Sequence, residues 1–466
     1  MATGLSKKQN ELLNSMSHET LVNIIQELIK DNKEAKLTLV NGYLLSDEDI
    51  LKGIEKEYGR QSKSKRFYDY YEADAFYDHL TRSIAQPLER VAGTLPEQVE
   101  RLSVKIILEF ERFSENSDTS SGSWMDYYSV VLDAWMKAVV AQKNGDPVFL
   151  AQKIFDFVSN ENYFGCAIYK TYRAVLGADV LRTIRDMYYE KKCHREALDI
   201  SLLVRDTHFL SEALKKGQFC RSEHYFDYAK LLIEEVRPGE AIELLFYMER
   251  EGEKQYSDKT TWDKLLITAL IEDGQRDEAM EKSIVAFSLR CDTRFYRLYK
   301  TASGKEDDNI QTFLNIAKEK GLMPYISFAS DVARFDLVDS CVTGTPKEEL
   351  ASSLAYLSSS FIRTLSSTLY QHGYALAATL LRRLLVESTI HQAKSKYYSY
   401  AASDMKKAIH YSEGLEDSPQ LTGTVAYFRA LYEQHKRKTA LWSAMVEKIQ
   451  GLSVGKDGIF YERNHP

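Results

Sequence analysis

Leu21, Ile24, Ile25, Leu28 and Ile29 stand at positions i, i+3, i+4, i+7 and i+8. On a helix these residues form one apolar stripe, and no other regular element would bring them together. Val99, Leu102, Ile106, Phe110 and Phe113 form a second stripe, and Leu376, Leu380, Leu381, Leu384 and Leu385 a third. This periodicity constrains the fold most. It predicts an all-α chain, and no convincing run of strand alternation and no Asn-Gly or Asp-Gly hairpin flanked by β-branched runs stands against it.

Helix-start signals agree. Ser17 can cap the first stripe with its hydroxyl. Asp146-Pro147 and Thr345-Pro346 each place a polar residue before a proline suited to the first helical position. Glu348 and Glu349 follow in the first turn, where the helix dipole favours them. Glycine (22) and proline (8) are few for 466 residues, as a helical chain requires. An apolar fraction of 44% excludes a largely disordered chain.

The punctuation divides the sequence into three regions. Residues 1–85 read as an N-terminal helical unit, broken by the basic stretch 59–66. Residues 86–190 read as a helical middle with a mobile polar linker at 114–123. Residues 191–466 read as a helix-pair array. Within that array Arg195-Glu196-Ala197-Leu198, Gly239-Glu240-Ala241-Ile242 and Asp277-Glu278-Ala279-Met280 repeat one pattern, each after a turn-like pair. In tetratricopeptide-like helix pairs, such an alanine lets two helices approach closely, although the ideal period is shorter. The expectation is an α-α superhelix, a solenoid in which stacking neighbours complete a continuous core. The 30 tyrosines would fill inter-helix space, with hydroxyls reaching the groove.

The N-terminus has no apolar signal segment. Residues 364–381 carry no formal charge, but their serines, threonine, histidine and glycine read as a helix, a turn and a helix rather than a membrane span. Cys166, Cys193, Cys220, Cys291 and Cys341 are odd in number and widely spaced, which suits reduced thiols in a cytoplasm.

Chemistry-bearing motifs are scarce. GxxxxGK[ST], GxGxxG after a strand, GxSxG and HExxH are missing, and Gly455-Lys456 is followed by Asp457. No catalytic residue and no cofactor is expected. Cys193, His194, His208, Cys220 and His224 cluster in sequence, with Cys220 and His224 on one helical face, and thiolate with imidazole is a zinc donor set. Core thiols and a solvated His194 are the preferred reading, since paired CxxC or HxxxH spacing is lacking. Asp47/Asp49 and Asp307/Asp308 read as solvated or first-turn charges, and Asp118 as part of the linker.

Charge is uneven. The net charge is -7, yet residues 380–450 carry 11 basic against 7 acidic side chains. Arg382, Arg383, Lys394, Lys396, Lys406 and Lys407 are interleaved with Tyr397, Tyr398 and Tyr400, and Lys436, Arg437 and Lys438 follow. Basic residues among aromatics suit phosphate contact and base stacking. Nucleic acid or another anionic partner is therefore the alternative to an unknown protein partner; no membrane is expected.

Three segments carry a family likeness: HETLVNIIQELIKDNKEAKLTLV at 18–40, DAWMKAVVAQKNGDPVFLAQKIFDF at 133–157, and LLRRLLVESTIHQAKSKYYSYAASDMKKA at 380–408. They resemble bacterial proteins grouped as domain of unknown function 6880. A related C-terminal helical region occurs beside SWIM-type zinc fingers, but this sequence has no CxC and lacks that finger. The family's acidic mid-chain loop is reduced here to Asn116-Ser117-Asp118-Thr119-Ser120. The resemblance implies a bacterial cytoplasmic helical protein of no established activity. With the helix-pair pattern, it points to a non-enzymatic scaffold.

Overall fold

The computed structural model describes residues 5–32, 35–36, 39–40, 44–142, 146–161, 163–251, 258–304, 309–455 and 458–462. These are overwhelmingly helical. Chain contacts divide the protein into two compact units, Met1–His224 and Tyr225–Pro466.

In the first unit one hydrophobic cluster runs from Ile50 to Ile200, so the two sequence regions on either side of residue 85 share a core. Helix Pro96–Leu108 buries the stripe residues Val99, Leu102 and Ile106 against helix Trp124–Ala141, and Phe110 and Phe113 continue that face in the short helix after it. Trp135 stacks on Phe157 with ring centroids 3.8 Å apart. The Leu21–Ile29 stripe behaves differently. Ser17 does cap helix His18–Lys30, accepting from the Thr20 amide. That helix buries none of its residues, and Leu28 is 64% exposed.

The segment 114–123 is anchored rather than a free linker. Ser117 is buried, pairs with Tyr68 in an isolated bridge, and meets the Tyr77 hydroxyl at 2.6 Å. Asp118 is half-buried and accepts from the Ser120 amide. Glu161 ties down a second connection. Its buried carboxylate accepts from the amides of Tyr163, Phe164 and Gly165 and from the Tyr128 hydroxyl.

The three repeated tetrapeptides fall at equivalent positions. Ala197, Ala241 and Ala279 are each the fourth residue of their helices, His194–Val204, Pro238–Arg250 and Arg276–Arg290, and each is 0% exposed. The turn before each has one geometry. Lys192, Val236 and Gly274 adopt left-handed φ values of 61°, 59° and 80°. Each amide bonds back three residues, and the next amide bonds back five. This is the Schellman closure of one helix, followed at once by the next. The turn recurs at Ala333 and Gly373, where the fourth helical residues Val338 and Ala378 are likewise fully buried. This turn geometry therefore occurs at more places than the tetrapeptide marks.

The second unit continues with helices Lys259–Glu272, Thr293–Ser303, Ile310–Glu319, Leu322–Asp331, Phe335–Gly344, Lys347–Leu354, Ser359–Gln371, Ala375–His391, Tyr398–Tyr411, Thr424–His435 and Thr439–Lys448. Residues 364–381 are a helix, a turn and a helix, as their composition implies. Pro346 sits one position earlier than expected, at the cap of Lys347–Leu354 rather than inside it, because Thr345 still closes the preceding helix. Among the described residues no helix is long and apolar enough to cross a membrane.

The chain is not wholly free of strands. Leu452–Gly455 pairs antiparallel with Gly458–Tyr461, Leu452 opposite Tyr461. Leu452 and Ile459 are buried in a cluster built mainly by Tyr398–Tyr411 and Thr439–Lys448. An Asp-Gly pair, a hairpin signal, stands at 457–458 in the sequence; Lys456 and Asp457, like Asp307 and Asp308, lie outside the described residues.

Candidate functional site

Helix Ala375–His391 carries the adjacent Arg382 and Arg383. Its neighbours leave it little exposed face: Leu381, Leu384, Leu385 and Val386 are buried around both arginines, which are themselves only 6% exposed. Neither can contact a nucleic-acid backbone from there, and both leave the proposed surface set. About 100° of helical rotation separates consecutive residues, so the two guanidiniums enter different environments.

Arg382 is neutralised. Its Nη1 donates to Asp404 Oδ1 at 2.7 Å, and its Nη2 donates to the Arg363 carbonyl and Ser367 Oγ, both at 2.9 Å. Arg363 grips the same carboxylate through Nε and Nη2. Asp404 is 1% exposed, so three helices meet at one buried carboxylate. The hydrogen bonds that Arg363 donates to Asp404 hold its guanidinium above its ordinary pKa.

Arg383 is not neutralised in that way. Its Nη1 donates to the Thr422 carbonyl at 2.6 Å, and its guanidinium lies over the Tyr427 ring, 4.2 Å from the centroid. Its buried Nε has no hydrogen-bond partner. Among the described residues no carboxylate lies within ion-pair distance of it. Burial pushes its pKa below the usual arginine value, against the pull of Tyr427, Glu387 and Asp417. Arg383 lines a cavity of about 310 Å³, together with Val342, Thr343, Thr345, Pro346, Lys347, Leu350, Leu380, Leu384, Glu387, Pro419, Gln420, Thr422 and Tyr427. Glu387 is held by Lys347 at 2.7 Å and accepts from the Tyr427 hydroxyl at 2.9 Å. Burial first, and then the Glu387 carboxylate, push the Tyr427 phenol well above its ordinary pKa. No motif marks this cavity; it forms only when Phe335–Gly344, Lys347–Leu354, Ala375–His391 and the connection before Thr424–His435 come together.

The remaining basic residues are dispersed. Lys394, Lys396, Lys406, Lys407 and Arg437 are exposed. Lys436 pairs with Glu433, and the half-buried Lys438 donates to the Ile390 carbonyl at 2.8 Å. Of the interleaved tyrosines, Tyr398 is buried, while Tyr400 is 57% exposed. Several tyrosine hydroxyls donate to carboxylates of the same chain: Tyr58 to Glu109, Tyr128 to the buried Glu161, and Tyr172 to Asp133.

The Cys/His group does not assemble. Cys220 is exposed, with its thiol on the Gln218 carbonyl, and Cys193 turns to the Lys191 carbonyl. His208 is exposed. His224 is 1% exposed and meets Asp199 and Arg221, each at 3.1 Å. Among the described residues no group of three or more His, Cys, Asp or Glu side chains is placed to hold a metal ion. The first unit has a wide surface hollow lined by Arg60, Lys63, Arg66, Tyr68, Tyr71 and His79, but Glu57 engages Arg60 and His79, and Glu72 engages Arg66. Asp47 and Asp49 are first-turn charges of helix Asp47–Gln61.

Residues 225–444 match DUF6880, a family of unknown function. The DUF6880 match takes in the Arg382/Arg383 helix, the Asp404 junction and the whole Arg383 cavity. It contains the third of the three likeness segments, 380–408, and stops short of the other two. No curated protein and no solved structure matches the chain.

Proposed function

We propose that this protein is a non-enzymatic helical-repeat scaffold of a bacterial cytoplasm, in which tetratricopeptide-like helix pairs present a binding surface to a protein partner. The observation that carries this reading is the recurrent Schellman turn with its fully buried fourth residue. A unit that closes one helix and opens the next in the same way, again and again, is suited to stacking in an array. The array then offers side chains from successive helices to one extended ligand. The relation to regions found beside SWIM-type fingers belongs to this proposal as well.

The test is affinity capture with the tagged full chain from its native host. The control is a variant that reverses the exposed charges Lys394, Lys396, Lys406 and Lys407. A reproducible protein partner that resists nuclease treatment supports the scaffold. Recovery of nucleic acid alone, lost on charge reversal and weakened steeply by salt, would replace it with the nucleic-acid reading. No specific observation favours that second reading, since two of its residues are buried and a third caps a helix.

A further inference from the structure

We propose that the Arg383 cavity is a binding site for a monocarboxylate with a short apolar tail. The proposal does not depend on the scaffold reading. A guanidinium that is 6% exposed and has, among the described residues, no carboxylate at ion-pair distance is an unusual thing to bury. Proteins normally pair such charges, because leaving one uncompensated in the interior is destabilising. Its neighbour Arg382 obeys that rule through Asp404. Arg383 has a carbonyl and an aromatic face instead, and it borders a cavity of about 310 Å³. That volume is at the small end of ligand pockets.

The charge in the cavity selects the ligand. Among the lining residues Lys347 and Glu387 neutralise each other, which leaves Arg383 as the one lining charge without an ion-pair partner; Asp417 acts on it only from outside the lining. A monoanion balances it, whereas a phosphate dianion would leave a negative charge desolvated. A carboxylate also matches the planar fork of a guanidinium. The rest of the wall mixes threonines, Gln420 and Tyr427 with an aliphatic part, Val342, Leu350, Leu380 and Leu384, that suits a short tail. The acid could arrive as a free small molecule or as the C-terminus of a chain; both present the same group.

N-acetyl-leucine titrated into the full-length protein, followed by ligand-observed NMR, tests the site. N-acetyl-leucinamide, of the same shape without the charge, is expected to bind at least tenfold more weakly. Arg383→Gln is expected to lose the preference for the acid. Gln420→Trp, an exposed substitution at the lining that leaves Arg383 and the core in place, is expected to lower the affinity tenfold or more. A peptide ending in -Ala-Ala-Leu with a free carboxylate, against its amide, separates the sources. Tighter binding of the peptide acid than of N-acetyl-leucine assigns the site to a chain end, and equal binding assigns it to a free acid. Equal binding of acid and amide, affinity unchanged in Gln420→Trp, competition by inorganic phosphate as strong as by the acid, or no binding at millimolar acid would each overturn the proposal.

Discussion

Removal of the Asp404 carboxylate should open the second unit locally, and the size of the effect can be worked out. In the wild type the carboxylate receives Arg363 Nε at 2.9 Å, Arg363 Nη2 at 2.7 Å and Arg382 Nη1 at 2.7 Å. Asp404→Ala leaves Arg382, 6% exposed, as a buried cation whose remaining partners are a carbonyl and a hydroxyl. Arg363, about one-third exposed, can turn to water and recover part of its loss. Breaking a buried pair by removing one partner costs roughly 3–5 kcal/mol. A tenfold change corresponds to about 1.4 kcal/mol, so amide protection should fall by roughly 100- to 4,000-fold. Hydrogen-exchange mass spectrometry of peptides covering Tyr398–Tyr411 and Ser359–Gln371 reads this directly, without assuming that the whole chain unfolds in one step. The double variant Arg382→Met with Asp404→Leu removes both buried charges and should recover most of the protection. A single variant whose protection stays within threefold of wild type would refute the reasoning, and so would a double variant as exposed as the single.

Four further outcomes are expected. Val236 is a β-branched residue at φ 59° and is 86% exposed, so Val236→Gly should stabilise the protein by about 1 kcal/mol, and Gly274→Ala should cost about as much, both by chemical denaturation. Ala241→Leu overfills a helix contact that has no free surface and should cost about 1–3 kcal/mol in the same assay. Glu161→Ala strands three backbone donors and a tyrosine hydroxyl, and should cost more than 2 kcal/mol, read by hydrogen exchange over residues 163–171. Burial alone would raise the Glu57 pKa, but hydrogen bonds from Arg60, Gln61 and His79 bring it down from 4.5 to about 2. A depressed carboxyl stabilises the fold above its unfolded value, and that stability is lost as pH falls from about 4.5 through 2; Glu57→Gln should flatten acid denaturation in that window.

The helices were legible because their signals are local. Ser17, Asp146 and Pro147 act at helix starts wherever the chain goes. The tetrapeptide repeat was legible at Ala197, Ala241 and Ala279 but not at Val338 or Ala378, because the requirement at that position is full burial without a clash rather than alanine itself. The left-handed turn residue was harder still to read, since Lys192, Val236 and Ala333 take a conformation that glycine would announce. The functional reading of the Arg382-Arg383 pair failed for a related reason. Composition counts two cations, whereas the fold sends one to Asp404 and the other to a cavity wall. Neither Asp404 nor Thr422 stands near them in sequence, so no spacing could have separated the two. Burial of helix Ala375–His391 on nearly every side was likewise not in its leucine stripe alone.

The first two helices, Lys7–Asn14 and His18–Lys30, contain no buried residue, and among the described residues the earliest buried hydrophobic one is Ile50. Helices of 8 and 13 residues with no buried residue lie near or below the length at which helix and coil balance in water. The cooperativity that links Ile50 to Ile200 therefore does not extend to them. Anything that shields the Leu21–Ile29 stripe would raise their helix content by its own binding energy, and the core would register neither the gain nor the loss.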